Sequence, residues 1–175
     1  MQDILVYYSG HGAPHLQSRQ GYLVPVDGNP SAIEFTGYAL ETLYKNLRQL
    51  KVGNLTVVLD TCFSGDSAGG TLFPGTSPAR LQVTNPRLAL DHAFVLTSST
   101  GTQVANWYPE QRHGLFTYYV LLGLQVLGSS PAGEPITVSR LQEFLSPRVR
   151  AMAERLNGSV QTPEITGPAQ TPMFR

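Results

Sequence analysis

Cysteine is almost missing from this chain: Cys62 is the only one in 175 residues, so no disulfide can form within it. A reducing, cytoplasmic setting is the expectation that follows. A dominant charge is missing too. Twelve basic and twelve acidic residues cancel, with no long run of either sign, which argues against the clustered Lys and Arg of a nucleic-acid surface. No apolar run approaches the roughly 18 residues of a membrane span, and the N-terminus has no basic segment leading into an apolar stretch, so neither a membrane partner nor a signal peptide is expected. His11, His15, Cys62 and His92 follow no common zinc spacing, and no acidic cluster suits calcium, so no metal site and no cofactor are expected. Internal repeats are absent. What remains is a chain the length of one domain, residues 1–175, long enough to bury a core.

The most informative stretch is Val57-Val58-Leu59-Asp60-Thr61-Cys62-Phe63-Ser64-Gly65. Its β-branched, apolar start reads as a buried parallel strand that ends in a carboxylate, with Cys62 just beyond the strand end, where open α/β sheets place their chemistry. A lone cysteine there is either a small buried hydrophobe or a nucleophile within reach of a base. A second strand-like run, Asp3 to Tyr8, breaks into Ser9-Gly10-His11-Gly12 and supplies a histidine.

Between the two runs, Gly21, Pro25, Gly28 and Pro30 punctuate a loop, and Asp27 before Gly28 reads as a turn residue or a substrate contact. Thr36 is expected to cap a helix whose stripe is Leu40, Leu43, Leu47 and Leu50. Strand, helix, strand is a right-handed crossover, which makes the two strands parallel and lets imidazole and thiol meet across their ends.

Tyr7-Tyr8-Ser9-Gly10-His11-Gly12 with Asp60-Thr61-Cys62-Phe63-Ser64-Gly65 resembles the catalytic pair of caspase-like cysteine peptidases, above all metacaspases and their bacterial relatives. The two residues lie 51 positions apart, close to the spacing of about 50 found in caspases. The resemblance implies an α/β, caspase-like (caspase-haemoglobinase) three-layer fold with a mainly parallel central sheet. In that family two further strands and helices precede the His-bearing strand. The chain is therefore expected to be N-terminally truncated, either as part of a split protein or with a partner chain completing the sheet.

It also implies a cysteine endopeptidase acting on proteins or peptides through a Cys–His dyad. Cys62 would be the nucleophile and His11 the base, with the backbone N–H groups of Gly12 and Cys62 as oxyanion donors. Asp60 matches the metacaspase acid that binds Arg or Lys ahead of the scissile bond; the alternative is a carboxylate accepting backbone N–H bonds at the start of a loop. Metacaspases add a second acid after the third strand, where this chain has Gly101-Thr102-Gln103. Ser98 and Ser99, after the strand Ala93–Thr97, fall where relatives line the substrate pocket. Residues 66–91 fall at the linker between the large- and small-subunit-like portions, with Arg80 and Arg87 as candidate processing sites. Calcium activates many metacaspases. The alternatives are an inactive pseudoprotease or interaction module, or a fragment that needs a partner chain.

Further on, a largely apolar helix is expected from Gly114 to about Leu127, and a second from a Thr137 cap to about Leu156, kinked or split by Pro147. A terminal strand is expected at Pro172-Met173-Phe174.

Overall fold

Four strands make the central sheet, and their order across it follows their order along the chain: β1 (Ile4–Ser9), β2 (Leu55–Asp60), β3 (Ala93–Thr97) and β4 (Glu164–Thr166). β1, β2 and β3 are parallel, and β4 returns antiparallel to β3. The computed structural model describes residues 1–63, 66–67, 70–71, 88, 90–100 and 103–174. Most of the expected linker, with Arg80 and Arg87, lies outside the described residues. So do Ser64, Gly65, Gly101 and Thr102.

The alternation of side chains along each strand builds three layers. Leu55, Val57 and Leu59 of β2, with Ala93 and Val95 of β3, face α1 (Leu40–Leu47), which contributes Leu40, Tyr44 and Leu47. Val58, Phe94 and Leu96 face the other way, onto α2 (Leu115–Gly128) and α3 (Val138–Asn157) through Phe116, Val120, Leu141 and Leu145. β2 is buried on both faces, as its unbroken apolar run requires. β1 is not. Ile4, Val6 and Tyr8 pack against the α1 layer, but Leu5 and Tyr7 stay 62% and 53% exposed, and among the described residues β1 pairs on one side only.

Several expectations need correction. The segment after Gly12 contains a three-stranded antiparallel sheet of Gly12–Pro14, Gly21–Leu23 and Tyr38–Ala39, around Ala13, Tyr22 and Ile33. Thr36 does not cap α1: its hydroxyl donates to the carbonyls of Asn29 and Ala32, and the helix opens after Ala39. Leu50 is exposed beyond the end of that helix. Thr137 does cap α3, accepting the Arg140 N–H, yet Pro147 does not split the helix. Buried Phe144, Leu145 and Val149 hold both sides of the proline, and Arg148 Nη1 donates to the Phe144 carbonyl at 2.9 Å in the crowded turn. The last sheet strand is Glu164–Thr166, while Pro172 makes only an isolated bridge to Thr137.

No helix among the described residues is long and apolar enough to cross a membrane.

Candidate active site

β1 and β2 run in register to their ends, where Ser9 pairs with Asp60 and the Gly10 N–H donates to the Asp60 carbonyl. Two residues past the end of each strand stand His11 and Cys62. Gly12 closes the gap between the two loops: a β-carbon on it would lie 2.7 Å from the Cys62 carbonyl oxygen, 2.7 Å from the Phe63 ring and 2.8 Å from Thr61 Oγ1. Only glycine permits that approach. His11 is exposed, and its carbonyl accepts the Val24 N–H at 3.0 Å and the Tyr8 hydroxyl at 2.8 Å. Because His11 and Val24 form a hydrogen-bonded pair in that antiparallel ladder, the neighbouring Gly12 N–H turns away from its partner Leu23. Cys62 is in no disulfide and only 4% exposed.

Asp60, the last residue of β2, is buried. Its Oδ2 accepts the Thr117 N–H at 3.2 Å and the Thr117 hydroxyl at 2.5 Å. α2 has Gly114 at its N-cap with no capping side chain, which makes Thr117 its third residue. Asp60 therefore caps the helix from another strand, at the position an N-cap side chain ordinarily serves. The Tyr7 hydroxyl lies 3.1 Å from Thr117 Oγ1; with the Thr117 proton given to the carboxylate, Tyr7 donates to Thr117. Burial pushes the Asp60 carboxyl above its ordinary range, and the two Thr117 bonds pull it partly back. Gly114 makes room for this acid, since a β-carbon there would clash with Oδ2.

Ser98 is fully buried, and its hydroxyl serves the Thr61 backbone, accepting from the N–H at 3.1 Å and donating to the carbonyl at 2.8 Å. It borders the Cys62 loop from below and does not line an open pocket. Ser99 is half-buried, with its hydroxyl on the Gln103 carbonyl. Gln103, where the second metacaspase acid would stand, is tied to Thr162: its Oε1 accepts the Thr162 N–H at 2.6 Å. No local signal marks two further participants, Thr117 on Asp60 and Gln161 on Ser98.

The other candidates lie apart from this junction. Asp27 is exposed in a turn closed by the Gly28 N–H on the Pro25 carbonyl. His15 bonds Ser18 and Glu34, and His92, just before β3, accepts the Leu55 N–H with its carbonyl. Among the described residues, no three His, Cys, Asp or Glu side chains come together as a metal site.

The caspase-domain family model matches residues 2–174. Among solved structures, caspase-1 from Spodoptera frugiperda is similar in fold, with a TM-score of 0.57 at 17% identity over 95% of this chain. The chain spans 60% of the length of that structure. No curated protein sequence matches it significantly.

Proposed function

The chain belongs to the caspase-domain family, and on that premise we propose that it is a cysteine endopeptidase with Cys62 as nucleophile and His11 as base. One observation carries this reading: β1 and β2 end in register and Gly12 packs on the Cys62 carbonyl, so the two motif loops meet.

His11 takes the thiol proton, and the thiolate attacks the scissile carbonyl carbon. The resulting oxyanion receives hydrogen bonds from the backbone N–H groups of Gly12 and Cys62. As the tetrahedral intermediate collapses, His11 returns the proton to the leaving amine, leaving a thioester on Cys62. Water, deprotonated by the same imidazole, then hydrolyses the thioester and restores the thiol. No metal or cofactor enters these steps.

Within the family, the Asp-Thr-Cys pattern supports a metacaspase-like enzyme that cleaves after Arg or Lys, with Asp60 as the recognising charge. Oδ2 of Asp60 is already engaged by Thr117, so a substrate guanidinium would share the carboxylate with that cap.

The burial of Cys62 favours a second reading, a domain that keeps the fold and motif without turnover. An acyloxymethyl ketone probe with a basic peptide, run against wild type and Cys62→Ala, separates the two. Labelling of wild type alone supports the peptidase, whereas equal labelling of both proteins overturns it. A positional-scanning peptide library then tests the preference, and a flat profile at the residue before the cut would remove Asp60 from recognition.

A further inference from the structure

A buried chain of amides and hydroxyls runs from the Cys62 loop to the end of α3. Ser98 holds both the N–H and the carbonyl of Thr61. Its own N–H donates to the Leu59 carbonyl at 3.0 Å, and its carbonyl accepts Gln161 Nε2 at 3.0 Å. Gln161 is fully buried, and its Oε1 receives both the backbone N–H and Nδ2 of Asn106 at 2.9 Å. Asn106 Oδ1 in turn accepts Nδ2 of Asn157, the last residue of α3, at 2.8 Å.

The geometry points to Ser98 as the positioning residue of the oxyanion hole, acting through the Thr61–Cys62 peptide, with Gln161 setting Ser98. This inference rests on the peptidase reading for its catalytic consequence. The Thr61 carbonyl and the Cys62 N–H belong to one planar trans peptide and point in opposite directions. A hydroxyl that fixes the carbonyl therefore fixes the line of the N–H. Its hydrogen bond also polarises the amide, which makes that N–H a stronger donor. Thr61 is itself buried, and its own hydroxyl has no partner among the described residues, so without Ser98 the Thr61 N–H and carbonyl would lose their partner in a place where water cannot readily replace it.

A merely structural role for Ser98 predicts that activity falls only as folding falls. The positioning role predicts a split. In Ser98→Ala, kcat drops about tenfold to a hundredfold, less than the ~10²–10³ of losing an oxyanion donor outright. KM and the iodoacetamide alkylation rate of Cys62 stay near wild type, because neither substrate binding nor alkylation uses the oxyanion donors. Affinity for a peptide aldehyde, which forms a tetrahedral adduct, falls in step with kcat. Ser98→Thr, which keeps the hydroxyl, recovers most of the loss. Gln161→Met, one step further out, gives a smaller loss of the same kind and stands in where Ser98→Ala does not fold.

The amide resonance of Cys62 provides a readout that needs no turnover: it should shift in Ser98→Ala and return in Ser98→Thr. If that amide moves as expected but wild type cleaves nothing, the positioning stands and the peptidase reading falls. An active wild type whose Ser98→Ala variant keeps full kcat, or loses kcat and alkylation rate together, overturns the positioning and leaves the peptidase reading intact.

Discussion

Thr117 gives both its backbone N–H and its hydroxyl to one oxygen of Asp60, so the acid two residues before Cys62 is also the N-terminal cap of α2. The pH behaviour of this cap has a definite sign. Burial raises the folded-state pKa of Asp60 above its ordinary 3.8. The folded chain then holds the proton more tightly than the unfolded one. The stability this group contributes is fully present below 3.8 and is lost as pH rises through the raised value. Asp60→Asn removes that dependence. In urea melts, the stability of Asp60→Asn relative to wild type should improve as pH rises above 3.8. A pH-independent difference would sink the assignment. Asp60→Ala, which strips the acceptor from a buried N–H, should cost about 1–3 kcal/mol.

Gly114 offers a second approach to the same contact. Its backbone, at φ −57° and ψ 141°, is open to any residue, so the cost of a side chain there is steric. Gly114→Ala places a carbon on Asp60 Oδ2 and should destabilise by about 1–3 kcal/mol. Adding Asp60→Ala should relieve part of that cost, and a double-mutant cycle reads the coupling. Strict additivity would mean the two residues do not share this space.

At the other loop, Gly12→Ala keeps the candidate oxyanion N–H but drives a methyl against the Cys62 carbonyl, the Phe63 ring and the Thr61 hydroxyl. The loops must separate, and misplacement on the scale of 1 Å costs about 10²-fold in rate. We expect kcat/KM to fall by at least that much while the far-UV circular dichroism spectrum stays native. Unchanged kcat/KM would show that the approach is incidental.

β1 yields a prediction about association. It carries no charged residue, it pairs on one side only among the described residues, and Leu5 stands out from it. Uncharged free edges recruit other strands. Leu5→Lys should reduce self-association in sedimentation velocity at high concentration, with stability changed by no more than about 0.5 kcal/mol. Equal association by both proteins would place the contact elsewhere.

What could be read in advance divides along physical lines. Val57 to Asp60, Ala93 to Thr97 and the helical stripes were legible because long runs with a clear period report burial directly. The antiparallel strand at Glu164–Thr166 was not, since only Ile165 of its three residues is buried and Pro163 and Gly167 bracket it like a loop. Residue type marked His11 and Cys62, and the crossover explained how they could meet. It could not show that Asp60 meets Thr117, 57 positions away, or that Ser98 turns inward to Thr61, because both contacts depend on tertiary packing. Pro147 is the opposite case: a strong local signal for interruption, outweighed by the core on either side of it.

The span of the buried amide chain has a consequence for how the protein is made. Thr61 waits for Ser98, 37 residues later, and Ser98 waits for Gln161, another 63. Synthesis runs from the N-terminus, so both motif residues leave the ribosome well before the segment that steadies their backbone. A nascent chain, or one cut short of Gln161, carries the histidine and the cysteine without their support. On the positioning proposed above, the oxyanion donor is set only after Gln161 has been made, and translation itself delays the first efficient cut.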